Sequence, residues 1–599
     1  MIMKKIFGII ATAVTLFGAV SCEDFLNRPS EDSYVVDGFY KNDEQCIMGV
    51  NYLYSGPWSD VTRFYVYDTE YMSGNVWTSN SPYTTLTVNG TDQELKDMSA
   101  SLWSINGHCN TVINNLLSSS GASQAVINQC IGECLAWKAM AYFFLVRNFG
   151  DVPIVHDNTA IIKEGTYNEL QKVEKADVYE YIILTLEKAM ELLPKNPCIG
   201  EYNRIDRYAA EGLLAKVHLT KAGVSGSLDN GDLAKALSYA EDVINNSGRS
   251  LTPKYSDVFR LSPKVYQQTG EALFSWLWQA KVEMWCTQSY MQNDVGLVGF
   301  SEENNWGDWK GPSIDLQDAF GVSAVANPQP REDKDDRRKT TMMMFGDQYD
   351  YFWKDKGGFD LYRFFFDKSY GLGTDNPNIS SQTWGCPAGA FYGKHIYGDY
   401  QDHIDAIGVV PHQQYNQLPT HILRLSDIYL VAAEAAVLTG DTGKALTYVN
   451  AVRTRANAAP LQSVTFDDIW KERRLELALE GDRWYDYVRR SYYDVDGCIA
   501  DLKAQRRGYW SIPTGGSGPD LNGIYKNFVC DSDGNYVGPG ANTWDASTVV
   551  YDGSKDLTDV KPSMFIVPMP SEDVVANPNM ASTVAPIHVD VRESYSYDF

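Results

Sequence analysis

Two stretches of this 599-residue chain, "GDLAKALSYAEDVI" (231–244) and "GDTGKALTYVNAVR" (440–453), carry six residue types in one register. The matched pairs are Gly231/Gly440, Asp232/Asp441, Lys235/Lys444, Ala236/Ala445, Leu237/Leu446 and Tyr239/Tyr448. Each copy follows an Ala- and Leu-rich helical pattern, "AAEGLLAKVHLTKAG" before the first and "IYLVAAEAAVLTG" before the second. Helix, Gly-Asp turn, helix is the form of a tetratricopeptide hairpin. Small residues let the paired helices approach, and larger ones fill the space between them. With two copies so far apart, the expectation is a helical scaffold with hairpins embedded in it. A phosphate loop is excluded at "TGDTGKA", because its first glycine would fall on Leu438 and Lys444 is followed by Ala445.

Further helices are expected at 122–148, apolar nearly all round and therefore buried, and at 175–193. Between 250 and 415 helical periodicity fades while Gly, Pro, Asn, Asp and aromatics accumulate. The chain thus divides into a leader (1–21), an N-terminal helical region (22–250), a loop-rich aromatic region (251–415), C-terminal helices (416–507) and an irregular tail (508–599). The fold class is mostly α, with an irregular loop-rich ligand-binding region.

The leader "MIMKKIFGIIATAVTLFGAVSC" has two lysines, an apolar run and small residues before Cys22. It reads as a secretory signal ending at a lipidation cysteine. The mature protein is expected to be soluble but lipid-anchored through Cys22. The nine remaining cysteines show no zinc-type or disulfide-framework spacing, and Cys130 and Cys134, one turn apart, read as core. A net charge of −26 excludes nucleic acid and anionic lipid as ligands.

"KERRLELALEGDRWYDYVRR" (471–490) is the densest run of charge. On one continuous helix, Trp470, Leu477, Gly481, Trp484 and Val488 share a core-facing stripe. The i,i+3 pairs Arg473–Glu476 and Glu480–Arg483 then neutralise each other beside it. A catalytic carboxylate pair needs two acids in different environments flanking a cleft, so this helix is expected to be structural.

These segments resemble the SusD/RagB family of outer-membrane nutrient-binding lipoproteins. The resemblance rests on "LRLSDIYLVAAEAAVLTGDTGKALTYVNAVRTRANA" (423–458) with the charged run after it. It rests also on "CEDFLNRPSEDSY" after the leader, "AYFFLVRNFGDVPIV" (141–155) and "MFIVPMPSEDVVANPNM" (564–580). Asp427 departs from the family's usual Glu. The resemblance implies a surface-exposed protein, without enzymatic activity, that captures oligo- or polysaccharide. It would deliver this ligand to a SusC-like TonB-dependent transporter in the outer membrane. The alternatives are a lid that binds peptides or another nutrient, and a surface glycoside hydrolase.

A sugar site needs flat aromatic faces for the C–H faces of pyranose rings, with polar side chains for the hydroxyls. The chain has 38 Tyr, 23 Phe and 15 Trp, 13% aromatic, so loops can be supplied as well as the core. Two loops fit. "YMSGNVWTSNSPY" (71–83) offers Trp77, Tyr83 and Asn75, and "FSEENNWGDWKGP" (300–312) offers Trp306, Trp309, Asn305 and Asp308, just before a helix at "SIDLQDAF". Trp285 and Trp353 are second choices. Trp276 and Trp278, in "EALFSWLWQ", read as a strand with one of the two in the core. No HExxH spacing or G-x-S-x-G elbow is present. Neither "GTDNPNIS" nor "DSDGNY" matches a twelve-residue calcium loop. No cofactor or metal is assigned.

Overall fold

A computed structural model describes residues 39–118, 121–196, 204–262, 270–280, 289–303, 305–325, 331, 333–370, 386–411, 416–511 and 521–599. The leader, Cys22, Trp285 and "GTDNPNIS" lie outside these residues. The scaffold helices include α1 (Gln93–Leu117), α2 (Gln124–Phe149), α3 (Lys175–Leu192), α4 (Arg207–Lys221), α5 (Asn230–Asn246), α6 (Leu425–Leu438), α7 (Thr442–Arg455), α8 (Phe466–Leu477) and α9 (Arg483–Ser491). From α1 to α7 each packs on the next, and α8 packs on α6. The two repeats are therefore stacked hairpins, α4–α5 and α6–α7, which touch through α5 and α6 although a long loop region separates them in sequence.

Small residues make the stack close. Ala209, Ala210 and Ala215 of α4 and Ala432, Ala433, Ala435 and Ala436 of α6 are wholly buried. A Cβ on Gly212 would lie 3.2 Å from Ile428. The repeat registers less well at its turns. Asp441 caps α7, but Asp229 caps α5, and the matched Asp232 bonds His218 (2.8 Å) and Lys221 (2.7 Å) instead. Helix α2 is buried from Val126 to Phe149 at nearly every position, Cys130 and Cys134 included.

Among the described residues, strands are short and form five antiparallel pairs: β1 (Val76–Thr78) with β3 (Lys310–Pro312), β2 (Ala272–Trp276) with β8 (Thr420–Arg424), β4 (Met342–Met344) with β7 (Ala390–Tyr392), β5 (Gln348–Tyr349) with β6 (Phe359–Asp360), and β9 (Tyr509–Ser511) with β10 (Val550–Asp552). Both Trp276 and Trp278 are in the core, where only one was expected.

The charged run departs from expectation in two ways. It is two helices, not one, because Leu479 and Gly481 take φ of 65° and 88° between α8 and α9. A Cβ on Gly481 would sit 2.3 Å from the Tyr65 carbonyl, so glycine permits the turn and its docking together. Arg473 and Glu480 also pair across the fold and not with the expected Glu476 and Arg483, while Asp486 pairs with Arg489 (2.9 Å) along α9. Arg473 reaches Asp427 (2.8 Å) and Asp486 (2.9 Å), and Glu480 reaches Arg424 (2.7 Å) and Lys394 (2.7 Å). Glu476 takes Arg424 (2.6 Å), Arg337 (3.2 Å) and Arg455. Arg337 and Lys394 belong to the loop-rich region, so this network fastens that region to the scaffold.

Candidate functional site

The turn at Gly481 organises one wall of the site. Its N–H donates to Glu70 Oε1 (2.7 Å), and its carbonyl accepts from Thr69 Oγ1 (2.8 Å). Residues 59–78 run over this turn as a short helix (Ser59–Arg63), a π turn (Phe64–Asp68), a second short helix (Thr69–Ser73) and β1. Strand β1 then pairs with β3, placing Trp77 opposite Gly311 and Thr78 opposite Lys310. The two loops singled out in the sequence are thus hydrogen-bonded neighbours.

Their side chains do not all face outward. Trp77 is only 5% exposed and meets Tyr509 edge-on at 5.9 Å. Tyr83 packs edge-on against Phe64 and donates to Asp92 Oδ1 (2.6 Å), the residue that caps α1. Asn75 donates to Glu70 Oε2 and accepts from Arg474, both at 2.8 Å. Asn305 donates to the Leu297 carbonyl and Ser301 Oγ, both at 3.1 Å. These four, read in sequence as sugar-binding residues, sit in the interior and are engaged there. Trp353 is also buried, donating to the Phe300 carbonyl (2.9 Å). Asp308 belongs to the turn Gly307–Trp309, and its side chain is outside the described set.

Trp306 and Trp309 differ. Backbone bonds from Trp306 N to Asn293 O (2.8 Å) and from Gly307 N to Gly296 O (2.9 Å) press their loop against 293–296. A Cβ on Gly307 would lie 2.2 Å from the Val295 carbonyl carbon. Held this way, Trp306 is half-buried and lines a cleft of about 290 Å³ with Ser59, Asp60, Arg63, Glu94, Asp97 and Tyr290. Trp309 is 37% exposed, with Lys310 Nζ 4.8 Å from its ring centroid. Arg63 is 45% exposed at the side chain, ion-pairs with buried Asp294 (3.4 Å) and lies over the Tyr290 ring. Burial, then the neighbouring Asp97, pushes the Asp60 carboxyl above its ordinary range. Burial lowers the Lys310 ammonium.

Asp60, Arg63, Glu94, Asp97 and Tyr290 were not singled out from sequence. Asp60 and Arg63 sit on a short helix and Glu94 and Asp97 on the first turns of α1, where charges ordinarily face solvent. Nothing local signals that the two elements converge.

A larger groove of about 640 Å³ is lined by Met72, Leu86, Phe149, Met564, Ile566 and Met569, among others. Flexible thioethers fill gaps but offer no rigid plane, and the one aromatic of the lining, Phe149, is only 7% exposed, so this groove offers a pyranose no open aromatic face. Among the described residues, Glu174, Asp177 and His588 place three potential ligand atoms within 4.8 Å. There His588 Nδ1 already bonds Asp177 Oδ2 at 2.9 Å, and the adjacent Val589 N–H donates to the same oxygen at 2.8 Å, clipping the tail to α3. In "DSDGNY", Asp531 Oδ1 accepts from the N–H groups of Asp533 and Asn535 within its own turn.

The profile of the SusD family matches residues 282–585, and a second, described as starch-binding and associating with the outer membrane, matches 62–219. The chain belongs to the SusD family. A SusD-like protein of Bacteroides ovatus is 29% identical over 593 residues, covering 96% of this chain and 97% of the relative. A crystal structure with a xylogluco-oligosaccharide superposes with a TM-score of 0.71 at 24% identity, over 91% of this chain and 99% of that one. A SusD-like carbohydrate-binding protein of Bacteroides fragilis gives 0.64 at 18% identity, over 91% of this chain and all of that one. At such identities the solved structures establish the fold.

Proposed function

We propose that this protein captures oligo- or polysaccharide at the Trp306 cleft without cleaving it. The observation that carries the reading is a half-buried indole on a cleft whose other walls are hydrogen-bonding side chains, with the exposed Trp309 three residues further along the same loop. Water already satisfies sugar hydroxyls, so polar groups mainly orient the ligand, and dehydration of the stacked face supplies the net gain. One stacked ring buries roughly 100 Å² of apolar surface, on the order of 2 kcal/mol. Two platforms, less the cost of association, give affinities of roughly millimolar to micromolar, weak enough to release the ligand onward.

In this reading Cys22 carries the lipid anchor, the protein faces the cell exterior, and a SusC-like transporter receives the ligand. Family membership and the outer-membrane wording of the second profile support it. Calorimetry against a panel of oligosaccharides and peptides, with a parallel assay for new reducing ends, is the test. Saturable glycan binding without turnover is expected. Peptide binding alone, or reducing ends whose release stops on substituting Asp60 or Glu94, would replace the reading by one of its alternatives. Cys22→Ala is expected to leave the protein folded and to release it from the membrane fraction, measured with the transporter gene deleted.

A further inference from the structure

The charges around the cleft are not balanced. Three carboxylates, Asp60, Glu94 and Asp97, line it against one cation, Arg63. That cation is engaged by Asp294, a buried acid behind it. A second cation, Lys310, has its ammonium buried between the rings of Tyr67 (4.1 Å) and Trp309 (4.8 Å). Beneath lies the buried carboxyl of Asp68, held far above its ordinary range by burial and then by Glu94. Ser59, 5% exposed on the same wall, has a hydroxyl Oγ with no hydrogen-bond partner. The cleft therefore presents acceptors in excess and a negative field beside an aromatic face, with the unpartnered Ser59 hydroxyl buried behind its wall.

From this geometry we infer that the Trp306 cleft selects its ligands by charge, taking neutral or cationic pyranosides and rejecting uronates and sulfated sugars. The inference rests on the glycan-binding reading of the same cleft. Carboxylates accept hydrogen bonds from sugar hydroxyls and make stronger bonds than neutral acceptors do. An anionic sugar brings acceptors where donors are needed and meets like charge. At an intermediate dielectric, one carboxylate held roughly 6 Å from another is disfavoured about tenfold.

The test uses sugars that differ only in charge. Cellohexaose, laminarihexaose and maltohexaose are titrated beside the same hexaoses oxidised at C6 to uronates, with the β-1,4-glucosamine hexamer as the cationic probe. The best neutral hexaose is expected to bind at least tenfold tighter than its uronate, and the gap is expected to narrow as salt rises from 0.02 to 0.5 M. Asp97→Asn is expected to narrow the ratio of neutral to uronate affinity at least fivefold, whatever it does to neutral affinity itself; Asp60→Asn is the second variant. A uronate that binds as tightly as its neutral parent overturns the inference and leaves the glycan reading standing. So does a gap that neither salt nor either substitution moves, because exclusion by shape does not respond to charge. If no hexaose of any charge binds while a peptide does, the glycan reading itself fails, and this inference with it.

Discussion

Two groups of charged residues, one in the scaffold and one in the cleft, are built on opposite plans. In the scaffold, Glu476 is bracketed by Arg337, Arg424 and Arg455, while Arg473 sits among Asp427, Asp482 and Asp486. All are buried. Burial alone would push these acids up, but the guanidinium groups outweigh it and hold Glu476 and Asp486 well below the usual carboxylate range. In the cleft the balance runs the other way, and burial with Asp97 pushes Asp60 up. Downward shifts mark charges the fold has answered; upward shifts beside a cleft mark charges left for something else to answer. Density of charge in the sequence does not distinguish them.

The comparison breaks most visibly if the scaffold network is opened. Arg473→Ala takes the shared cation from Asp427, Asp482 and Asp486, leaving Lys216, Arg147 and Arg489 to answer three buried carboxylates, and removing one partner of a buried network typically costs about 3–5 kcal/mol. A large fall in melting temperature is expected, with unchanged ligand affinity in the protein that remains folded. Lost binding at an unaltered melting temperature would make this stretch functional. The same network sets an acid limit. Glu476 and Asp486 have folded pKa values below their unfolded ones, so their stabilisation is complete above the ordinary carboxylate range and is lost as pH falls through it toward the folded values. Melting temperature should be level from pH 7 to 5 and fall below about pH 4.5; a fall already under way at pH 6 would mean the network does not govern acid stability.

Two tryptophans from the paired loops sharpen the contrast. Trp77→Ala empties a packed site between β3 and Tyr509 and should cost about 3–5 kcal/mol of stability. Trp306→Ala removes a half-buried face and should cost little stability, but about 2 kcal/mol of binding, roughly thirtyfold in affinity. Thermal unfolding and calorimetry on both variants decide it. If the two effects exchange places, the cleft has been assigned to the wrong loop.

The hairpins were legible because their signals are local: an Ala-rich helix, a Gly-Asp turn and a second helix are read within one window. The break between α8 and α9 leaves no local signal, because Leu479, no turn-former, takes a positive φ, and Gly481 fits a packing position inside a helix equally well. The partners of Glu476 were illegible for another reason. Arg337 and Arg424 lie far off in the chain, and nothing in their surroundings says which carboxylate they will meet. The pairing of the loops at 71–83 and 300–312 puts two aromatic-rich segments together, but β1 is three residues long, too short for alternation to show which side Trp77 faces. The acidic half of the cleft comes from helix-surface residues whose convergence only tertiary packing creates.

The smallest expected effect is at Trp309. One face of its indole is taken by Lys310, so it offers a ligand less than Trp306 does, and Trp309→Ala should weaken binding by about 1 kcal/mol, roughly fivefold. The cation–π interaction with the buried Lys310 ammonium, which the same substitution removes, is worth about 2 kcal/mol when desolvated, so the melting temperature should fall measurably as well. Ligand length separates a real platform from a bystander. If Trp309 holds a sugar next to the one on Trp306, its removal should weaken a hexasaccharide and leave a disaccharide untouched. The two truncations should then add to within about 0.5 kcal/mol, as independent subsites do. Equal losses for both ligands, with a double variant no worse than Trp306→Ala alone, would mean that both indoles grip a single ring. No change at either length would leave Trp306 as the sole platform, and the cleft would be a one-sugar site.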